Sequence, residues 1–214
     1  AETEQDVNEV RRVRREKLAA LTQAGHSPFA ITKYARTHLA QQIVTQFDEL
    51  EGASVSIAGR MMSRRVMGKA SFAHVLDKSG QIQIYVRIDA VGQESYDAFK
   101  SMDIGDIVGV QGEVFRTRHG EISIRAEQVT LLCKSLQPLP EKFHGLKNPD
   151  LRYRQRYVDL IVNPQVRDTF YARSRILRGI RAFMDAQGYL EVETPVLHTI
   201  ATGAAAKPFI THHN

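Results

Sequence analysis

The chain has 214 residues, 29 lysines and arginines against 24 aspartates and glutamates, and a formal net charge of +5. Hydrophobic residues at 43% and charged residues at 25% are globular usage, which excludes collagen-like and disordered classes. One cysteine, Cys133, excludes an internal disulfide and a cysteine-based zinc cluster and points to a reducing interior, and no stretch approaches the ~20 apolar residues that span a bilayer.

The opening Ala1-Glu2-Thr3-Glu4-Gln5-Asp6 lacks the basic-then-apolar order of a secretory signal. Glu9 to Thr22 then predicts a helix: Val10, Val13, Leu18 and Leu21 recur near the 3.6 period, with Arg11, Arg12, Arg14, Arg15 and Lys17 between them. That basic face reads as facing water, a phosphate contact being the alternative. A second helix is predicted from Thr37 as N-cap, with Leu39, Ile43, Phe47 and Leu50 on one side and Gly52 as its end.

From Ser54 the period changes to two. Val55, Ile57, Gly59 and Met61 alternate with Ser56, Ala58, Arg60 and Met62 in a strand with one buried face. Ser71 to Asp77 follows, then a turn at Lys78-Ser79-Gly80, then Ile82, Ile84 and Val86 alternating with Gln83, Tyr85 and Arg87. A short helix fits Glu94 to Ser101. Ile104-Gly105-Asp106 leads into a fourth strand reaching Phe115, and a hairpin at Arg118-His119-Gly120 into a fifth ending near Leu132. Such strands, with one helix before the fourth, suit a small closed barrel of the oligonucleotide-binding kind. Gly59 and Gly112 sit where such barrels bend tightly. An open meander on a helix pair is the other arrangement this pattern allows.

Leu136 to Pro149, with four prolines and glycines breaking it, is a linker. Pro164 opens a long helix whose apolar stripe runs through Phe170, Ile176, Leu177, Ile180 and Phe183. Tyr189 to Val192 reads as a strand ended by Thr194-Pro195. Cys133 reads as an inert buried thiol, and Asp77, Asp103, Asp106 and Asp150 as turn or capping residues. His212 and His213 are adjacent, which is poor ligand spacing, so no metal site is expected there. No Walker-type loop, nucleophile elbow or H-E-x-x-H is present.

The outer face of the barrel carries the chemical hints. Arg60, Arg64, Arg65 and Lys69 cluster around the first turn, Phe72 and His74 share a face of the second strand, and Gln83, Tyr85 and Arg87 one of the third. Arg116, Arg118, His119 and Glu121 bracket the last hairpin. Unpaired bases need an aromatic ring to stack on, cations for phosphates and polar groups for base edges. A carboxylate among cations repels phosphate, so Glu121 makes sense only as an acceptor for a base edge. The competing reading is a solvated sheet face, with Phe72 in the core and Glu121 paired to an arginine.

Several strings together resemble class II lysyl-tRNA synthetases. Ala58-Gly59-Arg60-Met61-Met62, Met67-Gly68-Lys69-Ala70-Ser71-Phe72 and Gly80-Gln81-Ile82-Gln83-Ile84-Tyr85 are similar to that family's anticodon-binding barrel. Pro138 to Leu146 resembles its linker, and Arg152 to Leu160 the start of its catalytic domain. Gly188 to Pro195 resembles class II motif 1. Pro208 to Asn214 is similar to the lysyl enzymes rather than to their aspartyl and asparaginyl relatives.

The resemblance implies an α+β fold: N-terminal helices over 1–52, a five-stranded OB-fold barrel over 53–134, a linker over 135–149, and the first helices and strand of a class II catalytic domain over 150–214. It implies a cytoplasmic ligase that joins lysine to tRNA-Lys through lysyl-adenylate, using ATP and Mg2+, as a homodimer with no membrane contact. By family position Phe72 stacks on the central anticodon uridine, while Arg65, Gln83 and Glu121 read anticodon bases. Gly203 falls in the lysine-site loop, and Gly188 and Pro195 in the dimer interface. The chain departs from the family at Ile200-Ala201-Thr202-Gly203, which lacks a usual second glycine, and at Lys207, where arginine is common. The ATP-gripping arginines of motifs 2 and 3 are expected beyond Asn214, so no catalytic residue falls in these 214 and the chain alone is expected to be inactive. The competing classes are a non-enzymatic nucleic-acid-binding barrel protein and an aspartyl or asparaginyl synthetase.

Overall fold

A computed structural model describes residues 4–140, 146–195 and 211–212. The chain divides into two compact units, Ala1–His144 and Gly145–Asn214. In the first, α1 (Glu4–Gln23) precedes two short helices, α2 (Ala40–Thr45) and α3 (Phe47–Leu50). Five strands follow: β1 (Ser54–Met67), β2 (Ala70–Leu76), β3 (Gln81–Arg87), β4 (Ile107–Arg116) and β5 (Ile122–Cys133). Between β3 and β4 lie α4 (Ile88–Val91) and α5 (Gln93–Ser101).

The strands close into a barrel in the order β1-β2-β3-β5-β4. All neighbours are antiparallel except β3 and β5, whose parallel pairing seals it. β1 is long because it serves two partners, β4 over Ser54–Arg60 and β2 over Arg60–Met67, with a register shift between Met61 and Ser63. The change of partner bends the strand, and Gly59 permits it: a Cβ there would stand 2.6 Å from the carbonyl oxygen of Leu76. Gly112 is tighter still, at 2.0 Å from the carbonyl oxygen of Arg125.

Inside, Val55, Ile57, Met61, Ala73, Val75, Ile82, Ile84, Val86, Val108, Val110, Val114, Ile124 and Ala126 form one core with Ile43 and Phe47. The two-residue alternation of β2 and β3 is strict, so each neighbour of a core side chain points outward. α5 adds Tyr96 and Phe99, both fully buried. The Tyr96 hydroxyl meets Ser71 Oγ at 2.8 Å and donates to the Gly68 carbonyl at 2.9 Å, which satisfies the buried polar atoms.

Several expectations change here. Thr37 does not cap α2: its amide donates to the Ser56 carbonyl at 2.8 Å and its Oγ1 accepts from Ser56 N at 2.9 Å, tying the segment to β1. Leu39 stands at the N-cap instead, and Asp77 caps the helix from the β2–β3 turn by accepting from Ala40 N at 2.8 Å. Asp103 and Asp106 do more than cap turns. Lys134, 4% exposed, donates to both, and Asp106 is fully buried. α1 is fastened to this cluster. Lys17 pairs with Asp103 at 2.7 Å, and Arg14, 7% exposed, donates to the carbonyls of Ile104, Ser135 and Gln137. Part of the basic face is therefore spent on the barrel rather than on water. Cys133 is exposed, not buried, because β5 runs out at that residue.

The second unit contains α6 (Pro149–Arg154), α7 (Arg156–Val162) and α8 (Pro164–Ala186). Pro149 begins a helix, capped by the Asn148 side chain. The fully buried Asp159 accepts from Arg152 at 2.9 Å, from Asn163 at 2.6 Å and from Arg156. Ile176, Ile180 and Phe183 of α8 are exposed. The strand expected at Tyr189 to Val192 is absent. Residues 189–195 are irregular, since no described strand of this unit offers them a hydrogen-bonded ladder.

Two consequences are measurable. Gly112→Ala drives a Cβ into main chain that cannot swing aside and is expected to cost at least the ~1–3 kcal/mol of core overpacking, read as a lower urea midpoint. Burial pushes Asp77 and Asp103 upward, but hydrogen bonds outweigh it, from Ser79 and the amides of Ala40, Ser79 and Gly80 for the first and from Lys134 and Lys17 for the second. Both carboxyls are held below the ordinary range. The unfolded chain therefore takes up these protons first, near the usual pKa of about 3.9. The urea midpoint is expected to hold above that pH and to fall as acid titrates through the lower folded values. Asp77→Asn and Asp103→Asn each remove part of that slope.

Candidate nucleic-acid interface

The outward side chains of β1, β2 and β3, with the β4–β5 hairpin, enclose a groove of about 580 Å³. Arg65, Phe72, Gln83 and Glu121, which the sequence singles out, all line it, together with Ser63 and His74. Phe72 is half-buried on the outer face and outside the core. Its ring stacks on Tyr85 with centroids 4.7 Å apart and planes 25° from parallel. Tyr85 in turn lies 6.0 Å from Phe115, whose ring carries the Arg125 guanidinium at 4.9 Å. The register pairs Phe72 with Tyr85 directly across β2 and β3, so the backbone sets the ring contact.

Glu121 stands where the hairpin re-enters β5. The Thr117 amide donates to its carbonyl at 2.9 Å, its own amide donates to Thr117 Oγ1 at 3.0 Å, and Gly120 takes the left-handed φ of +87° that closes the turn. Its carboxylate does not pair with an arginine. Oε1 accepts from His74 Nε2 at 3.1 Å and Oε2 from Gln83 Nε2 at 2.6 Å. Behind these, Gln83 Oε1 accepts from Ser123 Oγ at 2.9 Å, and His74 Nδ1 lies 2.8 Å from Ser63 Oγ. The Glu121 side chain is still 49% exposed and open to the groove.

The cations around the first turn separate into two sets. Arg60 donates to the Gly105 carbonyl at 2.7 Å, and burial lowers its guanidinium pKa against the opposing charge of Asp106. Arg64 donates to the carbonyls of Phe99 and Met102. Both are structural. Arg65 and His119 line the groove, Lys69 and Arg118 are exposed in the β1–β2 turn and the β4–β5 hairpin, and Arg65 has no hydrogen-bond or ion-pair partner among the described residues. A stacked ring, an acceptor set and free cations together can hold an unpaired base and the phosphates beside it.

Residues 55–132 match the family of OB-fold nucleic acid binding domains, and 148–214 the class II tRNA synthetases (D, K and N). Over these two stretches the chain is similar to the class II tRNA synthetases and to the OB-fold domains. Curated relatives agree with one another. A lysine–tRNA ligase of Pelotomaculum thermopropionicum is 60% identical over 211 residues, 99% of this chain and 42% of that protein. One of Thermoanaerobacter pseudethanolicus is 57% identical over 98% of the chain and 42% of its own length. One of Clostridium perfringens is 54% identical over the whole chain and 42% of its own length. The chain thus spans about two-fifths of the length of the curated relatives it matches.

The remaining residues singled out by this resemblance lie in the second unit. Gly188, at φ +83°, ends the last turn after α8 and donates to the Asp185 carbonyl at 2.9 Å, and Pro195 is exposed. Gly203 lies outside the described residues. No group of three or more His, Cys, Asp or Glu side chains among the described residues is placed to hold a metal ion, and no described helix is long and apolar enough to cross a membrane. Sequence reasoning put His74 and Tyr85 on the correct face but gave neither a part in the site. The one available signal was their two-residue spacing from Phe72 and Gln83.

The division of the cations is testable by melting. Arg64→Ala leaves the Met102 carbonyl without its donor and the Phe99 carbonyl with the Met102 amide alone, and is expected to cost about 1–3 kcal/mol, whereas Arg65→Ala is expected to leave the melting temperature unchanged.

Proposed function

We propose that this chain is the front part of a lysyl-tRNA synthetase, in which the groove between β1, β2, β3 and the β4–β5 hairpin reads the anticodon of tRNA-Lys. The observation that carries this reading is the Glu121 carboxylate, held open to the groove beside the Phe72–Tyr85 stack. A phosphate-binding patch has no use for a carboxylate; a base edge does. The name shared by the three relatives supports lysine as the amino acid.

In this reading Phe72 stacks on the central anticodon uridine, and Arg65, Gln83 and Glu121 bond base edges. Residues 1–52 brace the barrel of 53–134, 135–149 links, and 150–214 open the catalytic domain. The exposed apolar face of α8, with Gly188 and Pro195 beyond it, supplies a homodimer interface, and Gly203 approaches lysine. The complete cytoplasmic enzyme joins lysine to ATP as lysyl-adenylate and then to the tRNA. The described residues provide no cage for ATP or Mg2+, and no step of that chemistry is assigned to them.

Titrating the chain with a lysine anticodon stem-loop and with the same hairpin altered at its central base is expected to give tighter binding to the first; equal affinities would refute the reading. Phe72→Ala should weaken binding by one stacking increment, roughly 1–3 kcal/mol. Log affinity should fall linearly with log salt, and Arg65→Ala should make that slope shallower.

A further inference from the structure

We infer that His74 is a positioning residue for base readout, holding the Glu121 carboxylate as a pure acceptor that favours bases bearing a ring N–H at the centre of their Watson–Crick edge. The inference rests on the anticodon reading proposed above and names how that site discriminates.

The hydrogen-bond chain has one direction. An ionised carboxylate has no proton to give, so the proton of the His74–Glu121 contact sits on His74 Nε2. In the neutral imidazole Nδ1 is then an acceptor, and Ser63 Oγ donates to it at 2.8 Å. From the other side Gln83 turns its NH2 to Glu121, which leaves its carbonyl to accept from Ser123 Oγ. Both arms, Ser63–His74 and Ser123–Gln83, thus aim donors at Glu121. Each carboxylate oxygen takes one such bond and keeps acceptor capacity on the groove side.

Two supports on two different strands also fix the carboxylate plane. His74 comes from β2 and Gln83 from β3, facing each other in register. Without His74 the carboxylate hangs from Gln83 alone and can rotate about that bond. A fixed acceptor edge favours uracil or guanine, which present N–H at the edge centre, and disfavours cytosine or adenine, which present a lone pair there. Lys69, exposed in the turn between β1 and β2, attracts phosphate whatever the base. Discrimination is therefore separable from affinity.

The test uses the whole chain, a lysine anticodon stem-loop, and copies carrying cytidine in place of one anticodon uridine at a time. In the unaltered chain one position is expected to prefer uridine strongly, and Glu121→Gln to abolish that preference. His74→Ala is expected to lower the uridine-to-cytidine ratio there by about tenfold, the value of one hydrogen bond to a charged group, while affinity for the cytidine hairpin changes little. His74→Gln, whose amide can still donate to Glu121, is expected to restore most of the ratio. An unchanged ratio in His74→Ala, equal losses on every hairpin, or a His74→Gln no better than His74→Ala would each overturn the positioning role while leaving the anticodon reading intact. No preference at any position in the unaltered chain would remove the anticodon reading and this inference with it.

Discussion

The site exists because the barrel interior is full. Ala73, Val75, Ile82, Ile84 and Val86 occupy the inner face of β2 and β3, and a strand has only two faces. Phe72, His74, Gln83 and Tyr85 are therefore forced outward as a block, at spacings the pleat dictates. A slip of one residue would turn the whole set inward and bring the aliphatic side chains out, at the cost of the core. The hydrophobic effect thus fixes the position of side chains that contribute little to it.

Charge is organised by a different constraint, the cost of leaving backbone carbonyls and carboxylates unpaired in a small domain. Arg14, Lys17, Arg60, Arg64 and Lys134 all answer internal acceptors. A net charge of +5 says nothing about which cations are so employed. Arg65, which answers none, lines the groove. The positive charge of this face comes from what the fold leaves over.

Period and turn chemistry made most of the first unit readable. Five strands, the helix before β4, the hairpin at Gly120 and the bends at Gly59 and Gly112 follow from alternation and from glycine, whereas the pattern leaves Phe72 open to either face, and the burial of Ser71 and Ala73 puts it outside. Contacts distant in sequence stayed hidden. Thr37 looks like a cap because its neighbours are helical, and only its pairing with Ser56 shows otherwise. Arg60 and Arg64 look like Arg65 in sequence, and what separates them is the carbonyls that α5 and the loop before β4 bring near. Tyr189 to Val192 has strand propensity without a ladder partner, and propensity alone does not make a sheet. Phe72, Gln83, Arg65 and Glu121 stand out as a set only through the family resemblance; the serine and histidine behind Glu121 do not, since nothing in the string says who supports whom.

The parallel seam between β3 and β5 has a kinetic consequence. Phe72, His74 and Gln83 belong to a local meander that can form early, whereas Glu121 arrives on a hairpin forty residues later in round terms, across α4 and α5. Non-local pairings of this kind are the slow, late events of folding. The aromatic half of the groove can precede the acceptor half, but a nucleotide-reading surface comes into being only when the last seam zips. On the anticodon reading proposed above, a nascent or partly unfolded chain would offer the rings without the acceptor, and selectivity becomes a by-product of finishing the fold.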